Sequence, residues 1–454
     1  MTELAIVILA AGKGTRMKSD LPKVLHRAAG RSLLGHVLHA AKELEASKVA
    51  VVAGPDSPEV EAEAKRIMPG AAIATQADRK GTAHAVAMAR ESLVGFSGTV
   101  LVLYADVPLI QPAKVAELVS KLTTGVPMAV LGFEAANPHG YGRLLRNADG
   151  SIAAIREQLD ASPEERAVTL CNSGIIAISA EALWRLLPQI RDNNAKGEFY
   201  LTDLVELTVA EGGRVELATC AEADVAGVND RVQLAGIEAE FQARYRRAHM
   251  LAGATLTAPE TVFFSADTQV GRDVIIGPHV VFGPGVAVAD DVEISAFSHL
   301  EGATISNGAR IGPYARLRPG AEIGEDAHIG NFVEIKKSII GKGAKANHLS
   351  YIGDAKVGPK SNIGAGTITC NYDGYDKHVT DIGAEVFVGS NTALVAPVKV
   401  GDGANIAAGS VITRDVPADS LAITRADLQL REGWAAKYRD IKKAQKARKA
   451  KAKG

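Results

Sequence analysis

The chain of 454 residues holds only three cysteines, Cys171, Cys220 and Cys370, far apart and without a CxxC pair. That scarcity excludes a disulfide framework and a cysteine zinc site, and it suits a reducing, cytoplasmic setting. Long apolar runs are lacking too. No stretch approaches the ~20 apolar residues of a membrane span, and the apolar residues 4–11 have no basic flank before them, unlike a signal peptide. Charge of one sign is also missing: 51 basic residues face 52 acidic ones, for a formal net charge of -1. No global field therefore recruits nucleic acid or a membrane, and any partner must be recognised locally.

What is present falls into two grammars. Up to about residue 230, strand-like runs ("LAIVILA", "KVAVVAG", "TVLVLYAD", "MAVLGF", "SGIIAIS") alternate with helix-like segments such as "LLGHVLHAAKELE" and "AHAVAMARESL". This alternation predicts a mostly parallel sheet covered by helices. Residues 231–250 have apolar positions at helical spacing among many charges, which predicts a solvent-facing linker helix. From 251 to 454 aliphatic residues recur every six positions. Anchors fall at Val270, Ile276, Phe282, Val288 and Ile294, at Ile311, Leu317, Ile323, Ile329 and Ile335, and at Ile382, Val388, Leu394, Val400, Ile406 and Ile412. A helical period drifts off such a register, so the spacing predicts a β-helix whose core is supplied by stacking. The register slips near 306–310 and 352–356, and "CNYDGYDKHVT" interrupts it; loops that leave a rigid solenoid tend to carry function. The lysine- and alanine-rich tail predicts a solvated, partly disordered extension.

"AGKGTRMKSDLPK" fits neither the P-loop pattern nor a dinucleotide-binding fingerprint. It remains a glycine-rich turn at the carboxyl end of the first strand, where open α/β sheets place ligands and free backbone N–H groups meet phosphate oxygens. Lys13, Arg16 and Lys23 add cations there. Asp106 follows "TVLVLY" and so stands past a strand's carboxyl end, as a metal-holding carboxylate or as a turn cap.

"LAAGKGTRM...LPKVL" resembles the sugar nucleotidyltransferase signature, and further stations of that family follow in order: "QADRKGTAHAV", "LYADVPL", "HGYGRL", "IREQLD", "LCNSGI" and "GVNDR". The set "RLRPGAEIG", "EIKKSIIG", "NHLSYIGDA" and "NIGAGTITCNYDG" resembles the acetyltransferase half of the bifunctional N-acetylglucosamine-1-phosphate uridyltransferase/glucosamine-1-phosphate acetyltransferases. Together the two matches cover nearly the whole chain. The resemblance implies a Rossmann-like nucleotidyltransferase α/β domain over residues 1–230, the linker helix, and a left-handed parallel β-helix over 251–454 that assembles as a homotrimer.

The resemblance also implies residue roles. Leu9, Ala10, Ala11, Gly12, Lys23, Gln76, Gly81, Thr82, Tyr104, Asp106, Gly142, Glu157, Asn172 and Asn229 would bind UTP and the sugar nucleotide. Arg16 and Lys23 would stabilise developing charge, and Asp106 and Asn229 would hold Mg2+. In the second half His348 would be the base that frees the amine's lone pair, a task suited to a group titrating near neutrality. Five other histidines lie in that half (His249, His279, His299, His328, His378), and only the motif singles out His348. Arg318 and Lys336 would hold the phosphate of glucosamine 1-phosphate. Tyr351, Asn362 and Asn371 match sugar-contacting positions. Ala365, Tyr372, Ser390, Ala408 and Arg425, with Asn371 at the border of the two sets, match those around acetyl-CoA.

Two departures from the family pattern stand out: Ser350 replaces an expected threonine beside His348, and the solenoid is shorter before "RLRPG". Two other function classes compete. A single-activity sugar-1-phosphate nucleotidyltransferase with a structural β-helix explains "LAAGKGTRM" but not the His348, Lys336 and Tyr351 set. A non-catalytic interaction protein of the same folds is opposed by the intact glycine loop, Lys23 and Asp106.

Overall fold

The computed structural model describes residues 3–451. Contacts divide the chain into two compact units. One runs through Ala252 and takes in Pro259–Thr268 and Phe282–Pro284; the other holds Gly253–Ala258, Gln269–Val281 and the chain from Gly285 onward.

The first unit is built on a sheet whose central strands are continuous apolar runs, as strands covered on both faces must be. Leu4–Leu9 lies between Lys48–Ala53 and Thr99–Tyr104, parallel to both. Ala72–Thr75 extends the sheet on one side in parallel. The sheet is mostly parallel, as expected, and the exceptions lie on the other side. Leu170–Ser179, which contains "SGIIAIS", runs antiparallel to Thr99–Tyr104 and to Met128–Glu134. The reason lies in the connection: after Met128–Glu134 the chain makes the antiparallel pair Arg143–Arg146 and Ile152–Arg156 instead of returning through a crossover helix. Val215–Thr219 closes the edge in parallel. One core face holds Ile6, Ile8, Leu34, Leu38, Leu101 and Leu103, the other Val7, Val52, Val86, Val102 and Ile176.

Helix Leu33–Glu43 is capped by Ser32, whose hydroxyl accepts from the Gly35 N–H. Helix Arg231–Leu251 is not the solvent-facing connector its charges predict. Ile237 and Phe241 are buried with Met17, Ala28, Leu33, Leu109 and Val228. Phe241 also stacks on His36 with ring centroids 4.1 Å apart. The apolar stripe of that helix thus forms a third small core, and only the opposite face meets water.

In the second unit each turn of chain contributes three short strands, and each strand pairs in parallel with the strand one coil on. The result is three parallel sheets of ten, eight and eight strands, one per face of a left-handed β-helix of hexapeptide repeats. Every predicted anchor from Ile276 to Ile412 is buried; Val270, in the first coil, is partly covered. The corners carry positive φ angles. One corner column stacks rings: His279 on Phe297 at 4.8 Å, Phe297 on Tyr314 at 4.9 Å and Tyr314 on Phe332 at 5.1 Å. The tail folds further than its composition predicts, as helix Trp434–Lys451, because alanine, lysine and arginine are strong helix formers even on an exposed segment.

Candidate active sites

In the first unit the glycine turn leaves Leu4–Leu9 beside the end of Thr99–Tyr104, where Leu9 pairs with Tyr104. Gly14 has φ 59°, and a Cβ there would stand 2.4 Å from Cβ of Lys23. Glycine is what lets the turn close onto the Lys23 stem. Lys23, in the short helix Lys23–Leu25, then points its Nζ at Asp106 Oδ2 (2.5 Å) and donates to Asn229 Oδ1 (3.3 Å). The N–H of Val228 donates to the carbonyl of Asp106 at 2.9 Å, tying the Asn229 turn to the end of the Thr99–Tyr104 strand. Residues more than two hundred positions apart thus share one positive charge.

A cavity of about 220 Å³ opens here. It is lined by ten of the predicted positions: Leu9, Ala10, Ala11, Gly12, Lys23, Gln76, Gly81, Thr82, Tyr104 and Asp106. Gln76 is buried and donates from Nε2 to the Gly81 carbonyl at 3.0 Å. Gly81 opens helix Thr82–Met88 with φ 113°, and a Cβ there would meet the Phe199 carbonyl oxygen at 2.5 Å. Thr82 Oγ1 accepts from the Leu201 N–H at 2.9 Å. Tyr104 is held well above its ordinary pKa by burial and by the nearby Glu157 and Asp106 carboxylates, so its ring is a neutral wall with a hydroxyl at the tip.

Gly142, Glu157 and Asn172 form the adjoining group. The Asn172 N–H donates to the Gly142 carbonyl at 2.8 Å, and a Cβ on Gly142 would meet Glu157 Oε1 at 3.3 Å. Glu157 accepts from Thr202 Oγ1 at 3.4 Å, and burial raises its pKa. Arg16 stands apart: it is exposed on the helix Thr15–Met17 and does not line the cavity. Sequence reasoning passed over Arg79. Its Nε donates to the Ala11 carbonyl at 2.6 Å while Nη2 pairs with Asp56, pinning a guanidinium against the glycine turn. The signal was its place two residues before Gly81.

In the second unit the residues come together through register. Ala346 pairs with Ile363, Ile363 with Val388 and Val388 with Ile406, which sets His348, Ala365, Ser390 and Ala408 level on four successive coils. The N–H groups of Gly366, Asn391 and Gly409 donate to the carbonyls of His348, Ala365 and Ser390 at 3.4, 2.7 and 2.8 Å. Arg425 Nη1 donates to the Ala408 carbonyl at 2.5 Å. Coils stack about 4.8 Å apart, so small side chains line a strip of roughly 15 Å leading from His348 along one edge. His348 itself is exposed, its Nδ1 2.6 Å from Asn331 Oδ1.

Past that corner the chain enters the next face with Tyr351–Gly353, where Glu334 pairs with Tyr351 and Lys336 with Gly353. A Cβ on Gly353 would stand 2.4 Å from the Tyr351 hydroxyl, so that ring lies along the face. Arg318, one coil below Lys336, is paired with Glu334 at 2.7 Å. His348 and the Arg318–Lys336 pair thus stand at opposite ends of one narrow face, a three-residue strand of about 10 Å apart, with Tyr351 between them. Asn371 is buried and donates to Asp354 Oδ2 at 2.5 Å, just past the Lys336 end. Asn362 lies on the preceding face, and Tyr372 is exposed on the loop, its hydroxyl donating to the Gly374 carbonyl at 2.6 Å. Ser350 keeps the hydroxyl expected of threonine, donating to the His348 carbonyl at 2.9 Å. Glu334 and Asn331 went unrecognised in the sequence; the only available signal was their register one coil before Tyr351 and His348.

Each unit has a counterpart among known proteins. The MobA-like NTP transferase domain matches residues 6–148, and the bacterial transferase hexapeptide (six repeats) matches 302–337 and 380–414. The chain is 58% identical over 437 residues to the bifunctional protein GlmU of Azorhizobium caulinodans, covering 96% of this chain and 97% of that one. It is 54% identical to that of Xanthobacter autotrophicus over 96% of this chain and 97% of that one, and 56% identical to that of Rhodospirillum rubrum over 97% and 98%. The chain belongs to the bifunctional GlmU family. It is a two-activity transferase of UDP-N-acetylglucosamine synthesis, with uridyltransferase activity from its nucleotidyltransferase domain and acetyltransferase activity from its hexapeptide repeats. Among the described residues no helix is long and apolar enough to cross a membrane.

Proposed function

We propose that the two activities divide between the cavity and the edge strip as follows. At the strip, glucosamine 1-phosphate lies across the face between Lys336 and His348, its phosphate held by Arg318 and Lys336 and its sugar against Tyr351, with Asn371 and Asn362 at the margins. The pantetheine arm of acetyl-CoA follows Ala365, Ser390 and Ala408, whose small side chains let backbone groups approach it, toward Arg425 and Tyr372. His348 takes a proton from the amine as its nitrogen attacks the thioester carbonyl; the C–S bond breaks and coenzyme A leaves.

In the first unit, UTP enters the cavity with its phosphates over the glycine turn, and N-acetylglucosamine 1-phosphate lies toward Gly142, Glu157 and Asn172. A phosphate oxygen of the sugar attacks the α-phosphorus of UTP and pyrophosphate departs. Lys23 carries the charge that grows on the phosphates, and the pinned Arg79 adds a second cation, whereas exposed Arg16 contributes only from outside the cavity. Asp106 and Asn229 offer one carboxylate and one amide oxygen directed at a common point that already holds the Lys23 ammonium. Such a sparse set of hard oxygens suits Mg2+, which keeps water and phosphate as its other ligands. Bound there, the ion would offset the mutual repulsion of the two phosphate-bearing substrates. We also place the enzyme in the cytoplasm as a homotrimer assembled through its β-helix, as the family resemblance implies.

The observation that carries this reading is convergence: most of the residues scattered from Leu9 to Arg425 gather at two places, each with the donors one half-reaction needs. The test is to incubate the protein with glucosamine 1-phosphate, acetyl-CoA, UTP and Mg2+, omitting each co-substrate in turn. The sugar nucleotide should form only from the complete mixture, and thiol release should survive omission of UTP. UDP-linked sugar without acetyl-CoA, or no thiol release at all, would overturn it.

A further inference from the structure

The acetyl-transfer reading asks more of His348 than exposure. A base must offer a lone pair on the ring nitrogen that faces the amine, and a neutral imidazole with an unpartnered Nδ1 is free to carry its proton on either nitrogen. Here Nδ1 lies 2.6 Å from Asn331 Oδ1, and the two residues are paired partners on adjacent coils, Asn331 closing the strand His328–Asn331. The contact is fixed by backbone on both sides: the Leu349 N–H also donates to the Asn331 carbonyl at 3.1 Å.

From this geometry we infer that Asn331 is a positioning residue for acetyl transfer, its amide oxygen accepting the Nδ1 proton and so leaving the His348 Nε2 lone pair turned outward to the strip. The inference rests on the acetyltransferase reading of the second unit. An amide is well suited to the task because it selects the tautomer without adding charge, whereas a carboxylate in its place would favour imidazolium. The charged and titratable groups around His348 are few. His328, on the strand of Asn331, has its pKa lowered by burial and by Arg310 and Lys345, while the coil above presents the uncharged Asn362–Ile363 strand and Ala365.

The test uses the full-length protein and three variants, with acetyl transfer measured as thiol release over a range of pH. Asn331→Ala should lower kcat about 10- to 100-fold with little change in KM for either substrate, and with uridylyl transfer unaltered. Asn331→Asp should restore most of kcat at alkaline pH while moving the acid limb of the profile up by about one pH unit. A merely structural asparagine would instead leave that limb in place and alter KM or the unfolding midpoint; either result overturns the inference. His348→Ala serves as the reference. If it keeps acetyl transfer, the acetyltransferase reading of the site fails; if it loses activity while both Asn331 variants behave as the parent, only the role of Asn331 fails.

Discussion

The two units solve the same problem, gathering polar groups around a phosphorylated sugar, by opposite means. In the first, the site is a cavity between loops that leave different strands, and its parts come from distant sequence: Lys23, Asp106 and Asn229 meet only because three connections end at one point. In the second, the site is an exposed strip on a rigid scaffold, and its parts meet because the register carries them from coil to coil. Loop-built sites close around a substrate and can exclude water, whereas a register-built site is precise but open on one side.

Removing the base of the open site should have the largest effect. His348→Ala should cut acetyl transfer by on the order of 10² to 10⁴-fold, with uridylyl transfer from added N-acetylglucosamine 1-phosphate unchanged in a pyrophosphate-release assay. The converse, Asp106→Asn, should cut uridylyl transfer about 10²- to 10³-fold while thiol release proceeds normally. A loop-built cavity should also be sensitive to single backbone positions. Gly81→Ala forces a side chain onto φ 113° and against the Phe199 carbonyl. It should cost about 1–3 kcal/mol in denaturant unfolding of the first unit and weaken UTP binding, leaving the β-helix intact.

An open strip should tolerate change everywhere except along its floor. Ala408→Leu should raise KM for acetyl-CoA about tenfold with kcat nearly preserved. The smallest effect concerns Asp203, whose pKa is raised to about 6 by burial and by the neighbouring Glu206 and Glu157. A carboxyl with a raised folded pKa favours the native state in acid, and that contribution is lost as pH climbs through about 6. Asp203→Asn should therefore gain stability relative to the parent between about pH 4 and pH 7, read from denaturant midpoints across that range.

The same contrast explains what the sequence could tell. The six-residue spacing places the anchors from Ile276 to Ile412 inside the β-helix because stacking repeats the burial from coil to coil wherever the register holds. The alternation of the first half likewise marks its strands. It does not reveal that Leu170–Ser179 runs antiparallel, since direction depends on the connection and not on the apolar run. The helix Arg231–Leu251 was legible as a helix but not as a core element, because its two buried apolar residues, Ile237 and Phe241, are too sparse a stripe among its charges. For the sites, motif residues such as Gln76, Gly81 and Tyr104 all line the cavity, yet Arg16 does not, since an adjacent motif position on a short helix points its side chain elsewhere. Arg79, Glu334 and Asn331 escaped notice because each acts on a neighbour seen only in three dimensions.

Uridylyl transfer and acetyl transfer rest on two different sets of residues, one in each unit, so losing one activity leaves the other in place. The most direct measurement mixes the His348→Ala and Asp106→Asn proteins with glucosamine 1-phosphate, acetyl-CoA, UTP and Mg2+ and follows UDP-N-acetylglucosamine. Each variant alone should form almost none, and the mixture should recover a substantial rate after a lag set by build-up of N-acetylglucosamine 1-phosphate. A mixture as inactive as its components, with both proteins folded, would contradict the account.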